Sequence, residues 1–260
     1  EDIEFKGDLR NEQKPMIESL IENYNNELSI NGILKAKPGF GKTVCSAYLT
    51  ANLKKKTLII LDNSKLVSQW IEAYLKFTNL TEDDIGYIIG DKFNPKSVTI
   101  TMVQTLVSKA KNNIKEFYRK IRDEGFDLVF FDETHKTSSG PKFALSSLFL
   151  NTQNIIGLSA TPYGDQLHIF FMRNIIGEIL FEFADYDSKP EIYFVNYKSG
   201  LAKQYYWRLK KSSDYIKMIA FYNKIIHKSS TYLDILLKLS KKLVDSNRKS
   251  IIIVFTIEQL

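Results

Sequence analysis

The sequence predicts a doubly wound α/β fold around a parallel sheet, on three observations. Short apolar runs alternate with longer, helix-length stretches. A glycine-rich turn, Ala36-Lys37-Pro38-Gly39-Phe40-Gly41-Lys42-Thr43, joins one apolar run to a helix-like segment. An acidic pair, Asp132-Glu133, closes another run, Leu128-Val-Phe-Phe131. Such alternation lays helices on both faces of a sheet and gathers the chemistry-bearing loops on its C-terminal edge.

Taken in order, a helix is expected over 11–29, before the run Gly32-Ile33-Leu34 in a strand at 32–36. Val44-Cys45-Ser46-Ala47-Tyr48-Leu49 opens a helix over 43–54. Leu58-Ile59-Ile60-Leu61 marks a strand at 57–62, followed by a helix over 64–77. Val98-Thr-Ile-Thr101 marks a strand at 97–101, followed by a helix over 103–123. The acidic pair follows a strand at 127–131; a helix over 141–149 and a strand at 154–159 complete the series. Short, continuous apolar runs suit strands buried on both faces of a parallel sheet.

The glycine-rich turn has the chemistry of a triphosphate cradle. A loop between strand and helix aims successive N–H groups inward, and the helix N-terminus adds partial positive charge. Gly39 and Gly41 permit a close backbone approach. Lys42 is placed to reach the β- and γ-phosphates, and the Thr43 hydroxyl to ligate magnesium. The pattern G-x-x-x-x-G-K-[ST] is met except at its first position, where Ala36 replaces glycine.

Asp132, at the end of its strand, is suited to hold magnesium through its water shell, and Glu133 to accept a proton from an attacking water. His135, two residues on, is a candidate link between this loop and a neighbouring segment. Together the two stretches predict binding and hydrolysis of ATP with Mg2+.

With Asp132-Glu133-Thr-His135 following such a loop, the sequence resembles the superfamily-two D-E-x-H helicases and translocases, and other segments fall in that family's order. Leu9-Arg10-Asn-Glu-Gln13 resembles the L-R-x-x-Q element that reads adenine; the Gln13 amide can pair with adenine N6 and N7. Asn63-Ser64-Lys65-Leu66-Val67-Ser68-Gln69-Trp70 looks like the nucleic-acid-contacting loop that ends in Q-W. Thr101-Met-Val-Gln104-Thr105-Leu106 resembles the T-x-x-Q-x-L phosphate-contacting turn, and Leu158-Ser159-Ala160-Thr161-Pro162 the S-A-T motif that couples hydrolysis to movement. The resemblance implies that Lys65, Gln104 and Thr105 contact a nucleic-acid backbone. It implies that Ser159 and Thr161 relay a shift from the Glu133–His135 loop. It also implies a RecA-like lobe.

The segment Ile169–Phe183 resembles the strand after S-A-T-P in UvsW-like branched-DNA helicases and their XPB-like and restriction-motor relatives, which act on duplex or branched DNA. Where relatives carry a basic residue after S-A-T-P, this chain has Tyr163-Gly164-Asp165-Gln166.

Composition bounds the rest. The chain has 260 residues, 44% hydrophobic, with a net charge of +6. Residues 198–249 hold 13 Lys or Arg against three Asp, with Trp207 and Tyr197, Tyr205, Tyr206, Tyr215, Tyr222 and Tyr232 among or beside them. Cations among aromatics suit a nucleic-acid surface; a solvated amphipathic linker with an apolar stripe at Leu233, Leu236, Leu237 and Val244 is the equal alternative. No apolar stretch is long enough to span a bilayer, so no membrane partner is expected. One cysteine, Cys45, rules out an internal disulfide, and with three histidines a structural zinc site is not expected.

The expected organisation is a first RecA-like lobe over 1–185, a basic, aromatic-rich linker over 186–249, and the start of a second RecA-like lobe at 250–260, where Ser250-Ile-Ile-Ile-Val-Phe255-Thr256 reads as a buried strand. The resemblance places an arginine for the γ-phosphate beyond that strand, so this stretch by itself is expected to hydrolyse ATP poorly. Because residue 1 is Glu, preceding sequence is expected too. The expected function is an ATP-dependent DNA helicase or translocase acting on duplex or branched DNA in replication, recombination or repair. It is expected to be monomeric and located in the cytoplasm or nucleoid, or in the host cytoplasm if phage-encoded. An RNA helicase and a non-hydrolysing, nucleotide-gated binding module stay open as alternatives.

Overall fold

The computed structural model describes residues 2–134, 147, 150–162, 166–183 and 230–246. His135, the expected helix at 141–149 apart from residue 147, the Tyr163-Gly164-Asp165 stretch, Trp207, the aromatic-rich stretch around it and the expected strand at 250–256 lie outside these residues. The chain divides into two compact units, Glu1–Ser188 and Lys189–Leu260.

The first unit contains α1 (Lys14–Glu27), β1 (Ile30–Lys35), α2 (Lys42–Leu53), β2 (Thr57–Leu61), α3 (Lys65–Phe77), β3 (Ile85–Ile89), β4 (Lys92–Asn94), β5 (Val98–Met102), α4 (Val103–Asp123), β6 (Leu128–Asp132), β7 (Asn154–Ser159), α5 (Gln166–Ile175) and β8 (Ile179–Glu182). The strands form one sheet in the order β4-β3-β5-β2-β6-β7-β1-β8. Every pairing is parallel except the β3–β4 hairpin at the edge.

Period-two alternation along the central strands divides the core between the two faces. From β2, Ile59 and Leu61 join Met16, Leu20, Ala47, Leu49, Trp70 and Phe130 on the face covered by α1, α2 and α3. Leu58 and Ile60 turn the other way, to Leu106, Val107, Phe117, Val129, Phe131 and Met172, on the face covered by α4 and α5. All five residues of β2, β5 and β6 are buried; Leu58–Leu61 and Leu128–Phe131 accordingly read as continuous apolar runs. β5 instead buries Thr99 and Thr101, with their hydroxyls donating to the Lys96 and Ile88 carbonyls.

The doubly wound parallel sheet expected from sequence is present, with three strands beyond the five in the series. β4 is three exposed residues long and shows no apolar run. Its turn was nonetheless readable: Gly90-Asp91 between two short runs is a hairpin signal. β8 falls at the end of the Ile169–Phe183 segment read as a strand, whose first residues instead belong to helix α5. It pairs with β1 across a register shift at Ile33/Leu34, a partner that no local pattern names.

In the second unit the described element is α6 (Ser230–Asp245). Leu237 and Val244, expected in its apolar stripe, are 69% and 66% exposed. Among the described residues no helix is long and apolar enough to cross a membrane.

Candidate nucleotide-binding site

β1, β7 and β6 lie side by side in register: Leu34 pairs with Leu158, and Leu158 with Asp132. The three stretches that follow or end these strands therefore emerge together on the C-terminal edge. They are the glycine-rich loop, Ser159-Ala160-Thr161 and Asp132-Glu133.

Gly39 and Gly41 adopt φ of +78° and +89°, backbone that side chains with a Cβ rarely take. A Cβ on Gly41 would also lie 2.5 Å from Gln13 Nε2. Ala36 is not among the positive-φ residues; it is buried, and its N–H donates to the Ser159 carbonyl at 3.0 Å. The first position of the pattern thus needs no glycine here, which explains how alanine stands there. Pro38 and Gly39 are exposed at the tip, while Phe40 is buried against Phe183, ring centroids 5.0 Å apart. Lys37 Nζ lies 5.0 Å from the same Phe183 ring. Gly41 caps α2, so Lys42 and Thr43 occupy its first turn.

Lys42 Nζ donates to the carbonyl oxygens of Ala36 at 2.9 Å and Lys37 at 3.4 Å. Burial pushes its pKa down, against the opposing charges of Glu133 and Asp132. An ammonium resting on neutral carbonyls can exchange them for an anionic phosphate, a stronger acceptor. Burial pushes the Asp132 carboxyl up; the indole N–H of Trp70 opposes this and the Glu133 charge adds to it. The Asp132 oxygens accept from Trp70 Nε1 at 2.8 Å and from the Glu133 N–H at 2.9 Å. Glu133 is half-buried with φ +47°, a conformation uncommon outside glycine.

The donor set fits a magnesium triphosphate. Among the described residues no group of three or more His, Cys, Asp or Glu is arranged to hold a metal ion. Magnesium carried by phosphate oxygens and water needs none, since one carboxylate and one hydroxyl complete its shell. Asp132 and Thr43 are the carboxylate and the hydroxyl on this edge that would do so.

The L-R-x-x-Q segment lies over the loop. Arg10 Nη1 donates to the Gly39 carbonyl at 3.0 Å, and Gln13 Nε2 to the Phe40 carbonyl at 2.6 Å. Gln13 Oε1 accepts from the Arg10 N–H at 2.9 Å, and Gln13 is 1% exposed. One end of this amide therefore holds the glycine-rich loop and the other holds the turn of its own segment, contacts that sequence reading did not foresee beside the expected adenine role.

Lys65 is exposed at the start of α3, its N–H donating to Asn63 Oδ1 at 3.0 Å. Gln104 sits in the first turn of α4 rather than in a free turn, and its Nε2 donates to the Asp62 carbonyl at 2.7 Å, joining the two loops. Thr105 points inward: it is 8% exposed, and its hydroxyl accepts from the Gly90 N–H at 3.2 Å. The starts of α3 and α4 are thus neighbours, and neither first turn carries an acidic residue.

Ser159 is buried and its Oγ accepts from the Thr161 N–H at 3.1 Å, while Thr161 is exposed. The contact that spans β6 and β7 is made by Thr134, which sequence reading missed. Its fully buried hydroxyl lies 3.2 Å from the Phe131 carbonyl and 3.1 Å from the Leu158 carbonyl. Gly157 makes room for it, since a Cβ there would lie 2.8 Å from Thr134 Oγ1. We expect Thr134→Val, which keeps the shape and removes the donor, to cost about 1–3 kcal/mol in a urea titration. An unchanged midpoint would show that this bridge contributes nothing.

Burial raises the thiol of Cys45, on α2, to about 12. At pH 8 its reactive thiolate is therefore about a thousandfold scarcer than in an exposed cysteine. Iodoacetamide is expected to label it in urea and not in the folded chain; fast native labelling would contradict this burial.

A mostly parallel sheet carrying this loop, acidic pair and S-A-T stretch on one edge is the arrangement expected of a superfamily-two RecA-like lobe. Residues 6–164 match the family described as "Type III restriction enzyme, res subunit", and the chain belongs to that family. The chain is 31% identical over 156 residues to the "Putative DNA 3'-5' helicase Rad25" of Haloarcula marismortui, a match covering 60% of this chain and 23% of that protein. It is 32% identical over 151 residues to the "DNA 3'-5' helicase XPB" of Kineococcus radiotolerans, covering 57% and 26%. The matches thus span about a quarter of the length of these curated relatives. Among solved structures, the Sulfolobus solfataricus SWI2/SNF2 ATPase core in complex with dsDNA shares the fold, with a TM-score of 0.51 and 16% identity over 68% of this chain and 37% of that one.

Proposed function

We propose that this chain is the ATP-binding lobe of an ATP-dependent DNA helicase or translocase. The observation that carries this reading is the convergence of Lys42, Asp132 and Glu133 on one edge of the sheet, where β1, β7 and β6 lie side by side in register. In this reading Ala36–Thr43 cradle the triphosphate, and Thr43 and Asp132 hold Mg2+. Glu133 accepts the proton of the attacking water. Magnesium, when bound, neutralises charge on the phosphates. Arg10 and Gln13 set the loop's shape and face the adenine end.

DNA is the proposed track because the named relatives are DNA helicases. The adjoining α3 and α4 N-termini, free of acidic residues in their first turns, offer backbone N–H groups and partial positive charge to a phosphate chain. Lys65 adds a cation there, and Gln104 holds the two loops in step. His135 is assigned to the link between the acidic loop and its neighbour, and Ser159 and Thr161 to the coupling of hydrolysis to movement. The proposed organisation is a lobe over 1–185, a basic linker over 186–249 and a second lobe from 250. The finer proposal is unwinding or branch migration of duplex or branched DNA, by a monomer in the cytoplasm or nucleoid.

The test, run on the full-length protein, compares ATP turnover without nucleic acid, with branched DNA, with duplex DNA and with structured RNA. Stimulation by DNA is expected. Stimulation by RNA alone would assign an RNA helicase, and ATP binding with no turnover under any condition would assign a nucleotide-gated binding module.

A further inference from the structure

We propose that Trp70 is a positioning residue for the metal-holding carboxylate, an inference that rests on Asp132 being a magnesium ligand. Trp70 is 1% exposed, and its indole N–H donates to Asp132 Oδ2 at 2.8 Å. The other oxygen, Oδ1, accepts from the Glu133 N–H at 2.9 Å. One N–H on each oxygen fixes the plane of the carboxylate. A carboxylate accepts about four hydrogen bonds, so each oxygen keeps a lone pair for the water shell of the ion.

The indole is itself locked in place. Its ring lies against Tyr74, centroids 6.1 Å apart and nearly parallel, and against Phe130, at 6.5 Å. An indole donates and cannot accept, so this contact holds Oδ2 as an acceptor at a fixed place. This is the arrangement by which residues behind a metal ligand set its orientation, and their loss typically costs 10- to 100-fold in metal affinity. Trp70 lies on α3, the helix whose start carries Lys65. The donor that orients Asp132 is thus mounted on the element offered to the nucleic acid.

The experiment measures the affinity of a fluorescent ADP at graded Mg2+ and in EDTA, for the wild type, Trp70→Phe, Tyr74→Phe and Asp132→Asn. The wild type should gain affinity with Mg2+, and Asp132→Asn should lose that gain. In Trp70→Phe the half-saturating Mg2+ should rise about tenfold while affinity in EDTA is unchanged. Tyr74→Phe, which leaves the indole N–H in place, should match the wild type. A Trp70→Phe protein with the wild-type Mg2+ midpoint overturns this inference alone. Absence of any Mg2+-linked gain in the wild type overturns the metal-site reading beneath it.

A second measurement needs no substitution at position 70. The chain has two tryptophans, so its 15N-indole spectrum holds two signals, assigned through Trp207→Phe. The Trp70 signal should shift on adding Mg2+ with ADP and not on adding ADP with EDTA. An unmoved Trp70 signal overturns the proposal.

Discussion

In the full-length protein, Lys42→Ala is expected to lower DNA-stimulated ATP turnover by at least about a hundredfold, the scale of losing one charged donor aimed at a reacting phosphate. The ammonium is the cation of the described loop that sits between its carbonyls and the two carboxylates. The other described cations at the loop are engaged elsewhere: Lys37 lies over the Phe183 ring, and Arg10 donates to the Gly39 carbonyl. The fold should survive, because the site of Lys42 is half-buried at a helix start and not within the core clusters. A thermal melt run beside the turnover assay separates the two effects. Retained DNA-stimulated turnover in a folded Lys42→Ala protein would sink the ATPase assignment.

Glu133→Gln is expected to leave ATP and DNA binding intact while turnover falls by about 10²- to 10⁴-fold, the range for losing a general base. Glutamine keeps the length and the acceptor oxygen of glutamate but takes no proton at neutral pH. The backbone at this position, φ +47°, is no harder for glutamine than for glutamate, and the N–H contact to Asp132 belongs to the main chain. Asp132 and Lys42 are then unaltered, so loss of turnover with retained binding isolates proton transfer. Turnover near wild type would mean that another group activates the water.

How much was legible differs by residue. The glycine loop, Lys42 and the Asp132-Glu133 pair were readable because each is a contiguous stretch. Glycine permits the turn, a helix follows, and a carboxylate ends a buried strand. The departure at Ala36 was readable as a departure, but not as harmless until its backbone was seen outside the positive-φ region. Trp70 carried half a signal. Leu66, Trp70 and Tyr74 recur at four-residue spacing, which points them to one helix face, while the partner of the indole lies 62 residues away. Gln104 and Thr105 are adjacent in sequence and were read as a pair. The helix start at Val103 sends one outward to Asp62 and the other inward to Gly90. A turn would have left both facing out.

The sequence by itself determined the doubly wound architecture, the phosphate loop and the acidic pair, because period-two burial, glycine backbone freedom and strand-end carboxylates act over a few residues. Only the tertiary structure decided which stretches share the edge. The order β6-β7-β1 lets the hydroxyl of Thr134 reach Leu158, 24 residues on, and the face-sharing of α3 with β6 sets Trp70 on Asp132. Strand adjacency and helix placement come from burying two apolar faces at once. No local pattern names the partner across the sheet.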